Sequence, residues 1–152
     1  MIRFERTFDS ALVHRIVTHP RLYPCITNDF APAPADWRVP QGGHLWWILA
    51  YDDDELLGCF FCEAQNPICW EIHILMLPDA WGERTKCAAS AIAPWLFAHT
   101  PVRRLVCGIR ADNRLALRLA RMSGFEEYGC NPASWLHDGR LHDQVLLGIS
   151  KD

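Results

Sequence analysis

Residues 113–129 read NRLALRLARMSGFEEYG. The spacing predicts a short amphipathic helix that opens at Asn113, stops at Ser123-Gly124 and turns at once into a strand beginning with Phe125. Arg114, Arg118 and Arg121 fall on one stripe of that helix, as a solvated outer face does. Asn113, or Asp112 before it, is a residue type that caps a helix start. Upstream, RRLVCGIR (103–110) has the continuous apolar character of a buried strand.

Working outward, IRFER (2–6) forms a first strand, and Asp9 or Ser10 caps a helix reaching about Thr18. Pro20, Pro24, Pro32, Pro34 and Pro40 break up a long irregular loop, with one helical turn near residues 22–28. HLWWILAY (44–51) and LLGCFFCEA (56–64) flank the polar turn DDDE as a hairpin, and ICWEIHILML (68–77) adds a strand ending at Pro78. A long helix follows from about Gly82 to His99, with Ala88, Ala91, Ile92, Trp95 and Leu96 at helical spacing. Pro94 should kink it or thin its hydrogen bonding near Ser90. After the Asn113 helix, strands near 125–131 and 141–150 are joined by a turn at Asp138-Gly139. The order β-α-loop-β-β-β-α-β-α-β-β describes an α/β domain with a mixed sheet, and 152 residues suffice for one such domain, 1–152.

The formal net charge of −3, with 22% charged residues, gives no electrostatic reason to expect nucleic acid or an anionic membrane as a partner. No apolar run approaches the ~20 residues of a membrane span, and no signal-peptide core is present. The seven cysteines are odd in number and scattered through apolar runs, which reads as a reduced, cytoplasmic protein. Cys59-x-x-Cys62 lies in a predicted strand, so its thiols face opposite sides, and no second Cys/His pair completes a metal site. No metal is expected.

The Asn113 run, with Ala116 three residues on and Gly124-Phe125 closing it, resembles the last motif of the GNAT superfamily of N-acetyltransferases. The resemblance is best from about Leu56 to the C-terminus and faint before Gly43. It implies a GNAT-like acyl-CoA N-acyltransferase fold, mostly antiparallel, with splayed fourth and fifth strands. Acetyl-CoA would be the acyl donor and an amine, on a small molecule or a protein, the acceptor. A homodimer is compatible with the sequence, which does not fix the oligomeric state.

In that family, backbone N–H groups at the start of the third helix hold the pyrophosphate, using the positive end of the helix dipole. The matching residues here are Trp81, Gly82, Glu83, Arg84, Thr85 and Lys86. Arg84 and Lys86 stand where the family has small residues. Either they and the Thr85 hydroxyl serve the phosphates, or they are the solvated first turn of an ordinary helix. The resemblance assigns the strand end Leu75, Met76 and Leu77 to the cofactor, a backbone N–H of Leu75 or Leu77 steadying the oxyanion. It assigns Asn113 and Ala116 to the pantetheine arm. Where many members place a Tyr that protonates the departing thiolate, this chain has Ala120; Tyr128 on the next strand is a conceivable substitute.

Glu71 and His73 alternate with Trp70, Ile72 and Ile74 and so share one face of the fourth strand. Either suits a base that deprotonates the acceptor, His73 being nearer the cofactor loop; both also suit a half-exposed sheet face. Glu63 is a further candidate base. Trp46, Trp47, Trp70 and Trp95 read as core, whereas Trp37 and Trp81 lie in loops and either line an acceptor pocket or pack there. The alternative reading is a GNAT-fold protein weak or inactive in catalysis, serving as a CoA-binding or assembly component, since the pattern also resembles small bacteriophage-type members. A second alternative is an unrelated α/β binding module with a plainly capped helix.

Overall fold

The computed structural model describes residues 1–152. Its strands are β1 (Ile2–Thr7), β2 (Leu45–Asp52), β3 (Glu55–Asn66), β4 (Cys69–Met76), β5 (Arg104–Arg110), β6 (Glu126–His137) and β7 (Arg140–Ser150). Its helices are α1 (Ser10–Val17), α2 (Tyr23–Ile26), α3 (Glu83–His99) and α4 (Arg114–Met122). One seven-stranded sheet runs β1-β2-β3-β4-β5-β7-β6. Only β4 and β5 are parallel, and they pair over three residues, Cys69–Glu71 against Arg104–Val106. Beyond Glu71 the two strands separate.

Two apolar layers sandwich the sheet. α3 and α4 cover Ile48, Phe60, Cys62, Ile72, Leu105 and Leu147 on one face. α1 and α2 cover Trp47, Leu49, Cys59 and Leu75 on the other. Cys59 and Cys62 therefore lie in different layers, as odd spacing on a strand requires. Each fully buried Leu, Ile or Phe contributes roughly 1.5–3 kcal/mol of transfer free energy. No helix is long and apolar enough to cross a membrane.

Asp9 caps α1 by accepting from the Leu12 amide at 3.0 Å. α3 runs unbroken for 17 residues because Pro94 sits on its exposed side, where water can take the Ser90 carbonyl. The sequence reading ends β6 too early. The strand continues to His137 through an irregularity between Asn131 and Trp135 that absorbs Pro132 and Ala133 (φ 48°). β6 is an edge strand, where proline and bulges are tolerated.

Gly58 sets the approach of β3 to β4. Its φ is +151°, and a side chain there would run into the Leu75 carbonyl and stand 2.7 Å from Met76 Cα. Only glycine fits both demands.

Candidate active site

The separation of β4 from β5 opens a cavity of about 460 Å³ that is lined from both layers of the molecule. From the α1–α2 side come Tyr23, Trp37, Trp47 and Phe61; from the α3–α4 side come Ile92, Asn113, Ala116 and Ala120. Of the sequence-predicted residues, Glu71, His73, Leu75, Asn113 and Ala116 border this space. Met76, Leu77, residues 81–86 and Tyr128 do not.

Glu71 and His73 project together, Nε2 of His73 lying 2.8 Å from a carboxylate oxygen of Glu71. That hydrogen bond is the main reason the Glu71 carboxyl is held below its ordinary range, with burial opposing it. Phe61 stacks on the imidazole at 5.8 Å between ring centres and limits its tilt. An ionised carboxylate fixed against an imidazole stabilises the imidazolium that forms when the ring takes a proton.

The backbone amides of β4 divide by alternation. Leu77 N–H donates to the Leu57 carbonyl at 2.8 Å, and the register places Leu75 opposite Cys59 in the same phase. Both amides are committed to β3, so neither is free to steady an oxyanion, contrary to the sequence reading. The alternate amides of Ile74 and Met76 turn toward the gap, beyond the last residue paired with β5.

Asn113 caps α4: its Oδ1 accepts from the Ala116 amide at 3.2 Å. Its Nδ2 has no protein acceptor and remains available to a carbonyl in the cavity. At α3 the N-cap is Gly82, with φ +107°, open space around it and no side-chain cap. The amides of residues 82–85 find no backbone acceptor, the first helical bond being Lys86 N–H to the Gly82 carbonyl. Orphan amides at a helix start form an anion site. The charged side chains there are otherwise engaged. Arg84 bonds Glu55 and the Asp79 carbonyl, the Thr85 hydroxyl donates to the Ala80 carbonyl, and Lys86 pairs with Glu83.

Tyr128 is half exposed near the start of β5, its ring 5.2 Å from the Arg104 guanidinium. It does not border the cavity. Ala120 does line the cavity, with no acidic hydroxyl in its place, and the neighbouring Ser123 hydroxyl is donated to the Leu119 carbonyl. Trp37 lines the cavity edge-on to Trp47; Trp81 instead anchors its indole N–H on the Met76 carbonyl at 2.9 Å. Cys107 also borders the space, its thiol pushed up to about 12 chiefly by burial. Sequence reasoning missed Arg110, Trp135 and Gln144, which complete the wall. Their signal was only alternation on strands whose pairing was unknown.

Residues 6–126 match the family described as Acetyltransferase (GNAT) domain. The match reaches well upstream of Gly43, where the sequence resemblance faded. No curated protein matches. Among solved structures, spermidine N-acetyltransferase from Vibrio cholerae in complex with CoA and spermine is similar at 14% identity and TM-score 0.78, over 98% of this chain and 95% of that one. A GNAT-family acetyltransferase from Streptococcus pneumoniae gives 17% and 0.74, over 99% and 100%. The Salmonella typhimurium enzyme that modifies the N-terminal serine of ribosomal protein L7/L12 gives 21% and 0.64, over 72% and 66%. A single mixed sheet covered on both faces, with its diverging parallel pair, is the fold these proteins share.

Proposed function

This chain belongs to the GNAT acetyltransferase family, and from that premise we propose that it transfers an acetyl group from acetyl-CoA directly to an amine. The observation that carries the reading is the single cavity at the β4–β5 gap, bordered by His73 and Glu71 from one layer and by Asn113 from the other. Acetyl-CoA supplies the activated thioester. The free amides of residues 82–85 suit its pyrophosphate, and Asn113 Nδ2 suits a pantetheine carbonyl. Met76, Leu77 and Trp81 then shape the strand end and turn that present those amides.

His73, backed by Glu71, takes the proton from the acceptor amine. The amine nitrogen bonds the acetyl carbon as the carbon–sulfur bond breaks. An amide of Ile74 or Met76 is placed to donate to the carbonyl oxygen as it gains charge. No residue of α4 supplies a proton to the leaving sulfur, so the thiolate departs as such; a thiol is acidic enough near neutrality, with a pKa of about 8.5, for this to proceed. Positioning supplies most of the rate. Seven free thiols suit a reducing, cytoplasmic setting.

Calorimetric and thermal-shift titration with acetyl-CoA tests the reading. Binding should raise the midpoint of unfolding, with about 2.7 kcal/mol of added stability at a hundredfold excess over Kd. A folded protein that shows neither heat nor shift would refute it.

A further inference from the structure

The face of the sheet that presents Glu71 and His73 continues across the gap onto β5, β7 and β6. Arg110 closes β5, Gln144 is its cross-strand partner on β7, and Trp135 faces His142 two residues further along. All three line the cavity, and all three hold donors without acceptors. Arg110 commits its Nε to Asp112, which orients the guanidinium plane; its side chain is only 19% exposed, and its two terminal nitrogens have no protein partner. The Gln144 amide lies against Gly108 and makes no hydrogen bond. The Trp135 indole N–H is buried and unpaired. Two neighbouring unpaired donors, Arg110 and Gln144, one of them cationic, form a corner complementary to an anion, and a guanidinium edge matches a carboxylate with two parallel bonds.

The remaining wall has the opposite character. The Tyr23 hydroxyl is used on the Pro32 carbonyl and the Trp47 indole N–H on the Pro40 carbonyl, so both present ring surface alone. Trp37 and Phe61 extend that surface. Glu71 is the single carboxylate bordering the cavity, and it is held by His73. A polyamine would set a second ammonium group beside Arg110 with no further carboxylate to receive it.

We infer that the acceptor is a free amino acid with a large apolar side chain. Its amine lies at His73–Glu71, its carboxylate at Arg110 and Gln144, and its side chain against Trp37, Trp47 and Phe61. This rests on the acetyltransferase reading. Acetyl-CoA and the amino acid give the N-acetylamino acid and CoA: the nitrogen–carbon bond replaces the carbon–sulfur bond. The ammonium loses two protons, one through His73 to solvent before attack and one as the amide forms, the latter balanced when the departed thiolate takes a proton from solvent.

The test compares L-phenylalanine, L-tryptophan, phenethylamine and spermidine as acceptors, by thiol release and by calorimetric binding to the CoA-saturated protein. L-Phenylalanine should exceed phenethylamine in kcat/KM by at least about tenfold, with spermidine below both. In Arg110→Met that ratio should fall to near one, because the substrate bonds it removes are made only to the amino acid's carboxylate. Gln144→Leu should lower it less. A preference for spermidine, an unchanged ratio in Arg110→Met, or equal losses on both substrates would overturn the inference. If CoA binds but no amino acid does, the inference fails and the acetyltransferase reading survives; if CoA itself does not bind, that reading fails first.

Discussion

His73 Nε2 and the Glu71 carboxylate lie 2.8 Å apart in the cavity wall, and in the proposed reaction they divide the work of a base between them. The imidazole takes the proton and the carboxylate holds the ring and its charge. His73→Ala should therefore lower kcat by about 10²–10⁴-fold with little change in KM for acetyl-CoA, while Glu71→Gln, which keeps a hydrogen-bonding oxygen, should cost less. Steady-state thiol release measures both. Gly58 makes a separate demand on the same strand. Gly58→Ala places a methyl against the Leu75 carbonyl in a backbone conformation that side chains avoid, and should destabilise the fold by about 3 kcal/mol or more in urea titration. The pairing of Glu71 with His73 was legible from their i, i+2 spacing. Arg110 was not, because its role depends on which strand lies beside it and where the pairing stops.

At the scale of elements, the start of α3 offers free amides rather than basic side chains to the proposed phosphate contact. Four amides without backbone acceptors stand at Gly82–Thr85, while Arg84 and Lys86 are turned to carboxylates of the protein itself. Lys86→Ala should change CoA affinity less than about fivefold, as for an exposed charge. Gly82→Ala should weaken binding more, since the φ of +107° costs a side chain about 1–3 kcal/mol and rotates the first amides away. Calorimetry on the two variants separates these outcomes. The helices α1, α3 and α4 were readable from caps and periodicity. The far end of β6 was not, because Pro132 and the left-handed Ala133 mimic a terminator that only an edge strand can absorb.

Across the whole molecule, several carboxylates are held ionised by the partners they meet in the fold, and one of them ties distant segments together. The Gly139 amide, with that of Asp138, lowers Asp29 and pins the proline-rich loop to the β6–β7 turn. Arg110 lowers Asp112, and His73 lowers Glu71. For each group the unfolded chain takes up its proton at a higher pH than the folded one. Stability is thus fully present above the ordinary carboxylate range and is lost as pH falls through the lowered folded values. Urea midpoints followed from about pH 6 down to about pH 2 should decline, and Asp29→Asn should flatten that slope. The sequence by itself determined the element order, the caps of α1 and α4, the shared face of Glu71 and His73 and the Asn113 motif, all of which follow from local periodicity and backbone chemistry. Only the tertiary structure decided that β4 leaves β5 after three paired residues, that the amides of Leu75 and Leu77 are taken by β3, and that Arg110, Gln144 and Trp135 converge on the gap. Those facts rest on strand neighbours and register, which arise from packing between segments far apart in the chain.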